Sequence, residues 1–174
     1  MENKTAKVSC FVRAYHHRHG EPRVFADGAA ELLLGQKDYE AIGENIAQGI
    51  GFFTPEFTGT REEAVAVIVE KQLASPVLGR SAFCEGHLAN EIALGCGQYV
   101  IFAAGYDTFA YRGQMLELVV YHLDLPEVIR DRENCAEKVG LRSGSSCRDV
   151  SCNLTEETWT EKLLAAGFHQ RKKT

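Results

Sequence analysis

The residues in this sequence best placed to do chemistry are a run of small side chains and two acids. Ala103-Ala104-Gly105-Tyr106-Asp107-Thr108 directly continues the apolar run at residues 99–104, and Asp124 closes a second apolar run 19 positions beyond Gly105. Small residues after a strand let a ligand approach the backbone. An acid at the end of the next strand can accept hydrogen bonds from both hydroxyls of a ribose. Together they describe a site for an adenosine-containing cofactor. Taken singly, each has a plainer explanation: Gly105 as a turn glycine, Asp107 as the cap of a helix from Thr108, Asp124 as the cap of the helix after it. The reading rests on their joint spacing.

Charge selects among such cofactors. A dinucleotide lays its pyrophosphate on a glycine-rich turn and the helix start behind it. This turn lacks the G-x-G-x-x-G pattern, and the carboxylate of Asp107 would repel a pyrophosphate. S-adenosyl-L-methionine carries no phosphate but has a sulfonium and an ammonium, and a carboxylate beside the turn suits both. The residues therefore favour S-adenosyl-L-methionine over a nicotinamide dinucleotide.

The elements that must position these groups follow from periodicity. Up to about Leu94 the chain reads as mostly helical, with short candidates at 11–19 and 29–34 and a better one at 61–74, where Val65, Ile68, Val69 and Leu73 share a face. Thr60 and Glu63 have the spacing of a capping box at its start. Residues 43–59 hold four glycines and a proline and read as a loop with a short helical piece. Strands are expected at 99–104, 117–123 and, more weakly, 147–152. A helix is expected at 126–139, with Pro126 at its first position and Glu127 in its first turn. Thr155 is expected to cap a last helix through Ala166, ended by Gly167, with Leu154 and Trp159 as a hydrophobic staple. This order makes an α/β, Rossmann-like parallel sheet of three strands (residues 96–174) behind a helical N-terminal extension (residues 1–95). Such sheets bind ligands at the carboxyl ends of their strands, here Ala103 to Thr108, Asp124 and Asn153.

Composition narrows the class. The 174 residues are 45% hydrophobic and 25% charged, which fits a soluble domain with a real core. The net charge of −5 argues against a nucleic-acid binder. Nothing approaches a membrane-spanning run. The start of the chain is polar and unlike a signal peptide. None of the six cysteines forms a C-x-x-C pair, so free thiols in a reducing cytoplasm are expected. His16-His17-Arg18-His19 has no carboxylate or cysteine at ligand spacing and reads as a solvated helix end; no metal site is expected.

Residues 98–112, from Gln98 through Ala103-Ala104-Gly105-Tyr106-Asp107-Thr108 to Arg112, resemble the first motif of the leucine carboxyl methyltransferase family, a strand followed by G-A-G-x-D-T and an arginine. Tyr121-His122-Leu123-Asp124-Leu125-Pro126-Glu127-Val128-Ile129 resembles its second, E/H-x-D-x-P-x-V-I, and Cys152-Asn153-Leu154 with Trp159 and Leu163 its third. Arg13-Ala14-Tyr15 and Phe25-Ala26-Asp27 fit its helical extension. The resemblance implies that Ala103, Gly105 and Asp107 line the methionine end of S-adenosyl-L-methionine, Asp124 its ribose, and Asn153 and Leu154 its adenine. It implies that Arg80 holds the cofactor carboxylate, for which a guanidinium is well shaped, and that Lys4 or Lys7 closes over it. It also implies O-methylation of a carboxylate or hydroxyl, on a small molecule or a protein carboxylate.

Ala103 replaces the first glycine of the family turn, and Asn153 replaces its usual aspartate. The sequence stops where the family's fourth strand begins, so the fold is expected to be truncated and strand 99–104 to have an unpaired edge open to self-association. Two other functions compete: a non-catalytic or incomplete cofactor-binding fragment needing a partner chain, and a nicotinamide-dependent oxidoreductase. No catalytic residue is assigned, because in-line methyl transfer needs mainly positioning and desolvation.

Overall fold

A computed structural model describes residues 4–113, 118–144 and 146–174. The chain divides into two compact units, Lys4–Glu85 and Gly86–Thr174.

The first unit is helical: α1 (Lys4–His19), α2 (Gly28–Gln48), α3 (Ile50–Phe53) and α4 (Arg61–Ile68). Its core is built from Cys10, Phe11, Val12 and Ala14 on α1, Ala30, Leu33 and Leu34 on α2, and Ala64, Val65 and Ile68 on α4. Asp27 caps α2 by accepting from Ala30 N at 3.0 Å, and its other oxygen lies 3.0 Å from Arg13 Nε. Helix α2 is kinked at Gly35, whose φ of +72° and ψ of 156° are not helical, and its second part runs on through Gly43, where a loop was expected. Burial of Gly43 and Ala47 outweighs the low helix propensity of glycine. The capping box at Thr60 and Glu63 is present in both directions. The helix expected to reach residue 74 instead turns π-helical over Val69–Leu73 and again over Ser75–Gly79. Pro76, which has no N–H to donate, sits in the second of these turns. Helix α5 (Arg80–Ala93) follows.

In the second unit β1 (Gln98–Phe102), β2 (Val119–Asp124) and β3 (Cys147–Ser151) form a parallel sheet in the order β1-β2-β3. The α/β fold read from the sequence is the observed one. Helix α6 (Pro126–Lys138) connects β2 to β3, and α7 (Trp159–Ala165) follows β3. Successive strand residues point to opposite faces. On one face Val120 packs with Leu88, Phe109 and Leu118; on the other Tyr121, Leu123 and Val150 pack with Leu163.

Two boundaries differ from expectation. Strand β1 ends at Phe102 because Ala103 has φ +50°, which no strand tolerates. Glu117, the expected start of the second strand, lies outside the described residues. Thr155 does not cap the last helix: its N–H and hydroxyl both donate to Asn153 Oδ1, at 3.1 and 2.8 Å, and α7 begins four residues later behind Thr158. The side chain of Asn153 thus closes a local turn that delays the helix. Trp159 packs edge-on against Phe102, with ring centroids 5.0 Å apart, instead of stapling Leu154. Gly167, at φ +91°, ends the helix segment as expected.

Among the described residues β1 pairs with β2 alone, so it is an edge strand. The C-terminal segment reaches only its start. Gly97 N donates to Lys173 O at 3.1 Å, and the Gln98 carboxamide exchanges two hydrogen bonds with the backbone of His169, at 2.7 and 2.9 Å. No described helix is long and apolar enough to cross a membrane.

Candidate functional site

The carboxyl ends of the three strands bring Ala103, Gly105, Asp107, Asp124, Asn153 and Leu154 to one rim of the sheet. Ala104 N donates to Leu123 O at 3.2 Å, and Cys152 N donates to Asp124 O at 2.8 Å, so the segments leaving β1 and β3 both depart beside the end of β2.

Asp124 organises this rim. It is 7% exposed, and both carboxylate oxygens accept backbone N–H groups: Oδ2 from Gly105 at 2.7 Å and Oδ1 from Leu125 at 2.7 Å. The same acid therefore pins the glycine turn and holds the N–H of Leu125, the residue before α6. A carboxylate has about four acceptor positions, so capacity remains for a ligand hydroxyl after these two bonds. Gly105 takes φ +54°, a value suited to glycine; Ala103 takes φ +50° with a Cβ in place.

Asp107 is held from two sides. Its Oδ1 accepts from Phe109 N at 2.8 Å, at the head of the 3-10 turn Phe109–Tyr111, and lies 3.7 Å from His122 Nε2. The first contact makes it a turn-capping residue as well as a candidate ligand group.

Beneath the turn lies a charge network, buried at His122 and Arg132 and reaching solvent at Asp149, that sequence reasoning missed. His122, 1% exposed, stands opposite Asp149 in the β2–β3 register, and its Nδ1 lies 3.1 Å from Asp149 Oδ1. Arg132, fully buried on α6, pairs with that same oxygen through Nη2 and donates from Nη1 to Gly105 O at 3.2 Å. Burial opposes a proton on His122, but Asp107 and Asp149 outweigh it and push the imidazole pKa up to about 10. Burial likewise opposes the charge on Asp149, yet His122 and Arg132 hold it below the usual carboxylate range. Cys147 Sγ lies 3.4 Å from His122 Nδ1. His122, Cys147 and Asp149 offer three potential metal-ligand atoms within 4.8 Å of one another. An ion there would face the Arg132 guanidinium already on Asp149 and would have to displace the imidazole proton.

Two signals in the sequence could have exposed this network. The buried stripe of α6 is Val128, Ile129, Arg132 and Ala136, at helical spacing, with an arginine in an apolar row. His122 is a polar residue inside the apolar run of β2.

The other expected residues are placed as follows. The side-chain oxygen of Asn153 is engaged by Thr155. Leu154 packs against the Tyr121–Leu123–Val150–Leu163 cluster. Arg80 is exposed at the start of α5, within the first compact unit. In that unit Lys4 is exposed, and Lys7 pairs with Asp38 at 2.8 Å.

The turn and its pinning acid stand at the carboxyl ends of a parallel sheet in an α/β domain. The family model described as leucine carboxyl methyltransferase matches residues 6–174, and the chain belongs to that family. Among its relatives, YktD of Bacillus subtilis strain 168 is 33% identical over 97% of this chain and 57% of its own length. A protein of Mycobacterium ulcerans strain Agy99 is 29% identical over 94% of this chain and 51% of its own length. A third, from Mycobacterium sp. strain JLS, is 32% identical over 85% of this chain and 52% of its own length. All three are assigned by name to the S-adenosyl-L-methionine-dependent methyltransferases. The chain spans a little over half the length of these curated relatives.

Proposed function

We propose that this chain is the cofactor-binding part of an S-adenosyl-L-methionine-dependent methyltransferase, with residues 1–95 as a helical extension and 96–174 as the first half of the Rossmann-like domain. The observation that carries this reading is Asp124 at the end of β2, bonded to Gly105 N with Asp107 in the same turn. The donor set fits the cofactor. Asp107, Asp124 and Asp149 against Arg132 and a protonated His122 leave one net negative charge at the turn, which suits a cationic ligand and opposes a pyrophosphate. The names of the relatives support the same cofactor.

In this reading Ala103 and Gly105 give the ligand access to the backbone, and Asp107 faces its ammonium and sulfonium. The lone pairs of Asp124 left after Gly105 and Leu125 accept the ribose hydroxyls. Asn153 and Leu154 border the adenine. S-adenosyl-L-methionine supplies an electrophilic methyl group on sulfur. The protein's task is to align an oxygen nucleophile behind that carbon and exclude water. O-methylation of a carboxylate or hydroxyl, on a small molecule or a protein, is the reaction proposed. No general base is assigned.

Calorimetric titration with S-adenosylhomocysteine tests the cofactor, and a methyl-transfer assay tests the activity. Binding of NADH in place of S-adenosylhomocysteine would overturn the assignment. Binding without transfer to any acceptor would identify a cofactor-binding fragment that needs a partner chain.

A further inference from the structure

The charge network beneath the turn is more than packing. Asp107 is the residue proposed to face the cofactor's amino-acid end, and its orientation depends on groups that no ligand touches. One oxygen is fixed by Phe109 N at 2.8 Å. The same oxygen faces His122 Nε2 at 3.7 Å, longer than a hydrogen bond but close for an ion pair. Nε2 is buried and has no hydrogen-bond partner among the described residues. The opposite ring nitrogen is held 3.1 Å from Asp149, whose oxygen is also fixed by Arg132, and Arg132 reaches back to Gly105 O at 3.2 Å. The contacts close a ring: Gly105, Arg132, Asp149, His122, Asp107. Two residues of the three-residue turn are thereby tied to β2, β3 and α6.

We propose that His122 is a positioning residue for the cofactor site: anchored by Asp149 and Arg132, it directs its Nε2–H and positive charge at Asp107 and so fixes that carboxylate for the cofactor's amino-acid end. This rests on the reading that the turn binds S-adenosyl-L-methionine. His122 is 1% exposed, so it acts through Asp107 rather than in the chemistry. The groups that face it are Asp107 from the turn, Asp149 and Cys147 from β3, and Arg132 from α6. Two carboxylates flank the imidazole, and they sustain its proton across the neutral range.

Two near-isosteric variants separate positioning from folding. In His122→Gln the carboxamide lies near the Nε2 position and keeps a donor toward Asp107. In His122→Asn it lies near Nδ1, keeping the link to Asp149 and losing the donor toward Asp107. Affinity is measured by calorimetry for S-adenosylhomocysteine and for adenosine, which lacks the amino-acid end. His122→Asn is expected to weaken S-adenosylhomocysteine about tenfold or more while changing adenosine less than about threefold, and His122→Gln to restore most of the loss. Equal losses for both ligands in both variants, or no loss in either, overturns the proposal. Nitrogen-15 NMR of the wild-type imidazole gives a readout that needs no variant: His122 is expected to carry both ring protons at pH 8, and a neutral ring there overturns the proposal even if the cofactor binds. Absence of S-adenosylhomocysteine binding by the wild-type chain overturns the cofactor reading and this inference with it.

Discussion

Replacing Asp124 tests whether one acid both builds the site and binds the ligand. In Asp124→Ala two backbone donors lose partners at 2.7 Å. Gly105 N is buried, so water cannot replace its acceptor, and leaving such a donor unpaired costs about 1–3 kcal/mol. Leu125 is half-buried and its N–H regains water, so its loss is nearer 1 kcal/mol. The expected destabilisation is therefore about 2–4 kcal/mol, read as a lowered urea midpoint at unchanged slope. Asp124→Asn keeps one acceptor oxygen and turns its NH2 toward the other amide, so it loses one bond and is expected to cost roughly half as much. S-adenosylhomocysteine affinity, measured under conditions where each variant stays folded, is expected to fall at least about tenfold in both. A residue that only met the ribose would change affinity and leave stability alone. An unchanged urea midpoint in Asp124→Ala would refute the pinning of Gly105, and unchanged affinity would remove Asp124 from the site.

Ala103→Gly is expected to stabilise the protein by about 0.5–1 kcal/mol, since relief of a left-handed alanine at φ +50°, about 1–2 kcal/mol, exceeds the added chain entropy of glycine; thermal unfolding should shift upward by a few degrees, and a downward shift refutes the strain. Asp107→Asn is expected to weaken S-adenosylhomocysteine more than adenosine, and equal losses in the two titrations would mean that Asp107 acts only as the cap on Phe109 N. Because the pKa of His122 is raised from 6.5 to about 10 in the folded state, its stabilisation is complete below about pH 6.5 and is lost as pH rises toward 10. Urea unfolding at pH 6, 8 and 10 should show that slope in wild type but not in His122→Gln, and parallel curves contradict it. The edge strand β1 (Gln98–Phe102) carries no charge and no proline, so light scattering of the chain alone is expected to show concentration-dependent association; a monodisperse monomer at micromolar concentration counts against it.

Local chemistry along the chain determined a good deal. Short apolar runs placed β1, β2 and, more weakly, β3, and Pro126 with Glu127 placed the start of α6, all to within a few residues. Side-chain capping placed the start of α4, since Thr60 and Glu63 satisfy the helix's own amides. The spacing from Gly105 to Asp124 put both on one rim of the sheet, because in a parallel sheet consecutive strand ends fall on the same side. What the tertiary structure decided were matters of competition between distant groups. Thr155 lost its role as a helix cap to a turn closed by Asn153, and Gly43 stayed helical because its position is buried. Asp124 proved to hold backbone, and His122, Arg132 and Asp149 came together only through the β2–β3 register and the buried face of α6. A polar residue in an apolar row signals that Arg132 and His122 are buried, but their partners lie 17 to 27 positions away, and no local pattern encodes that pairing.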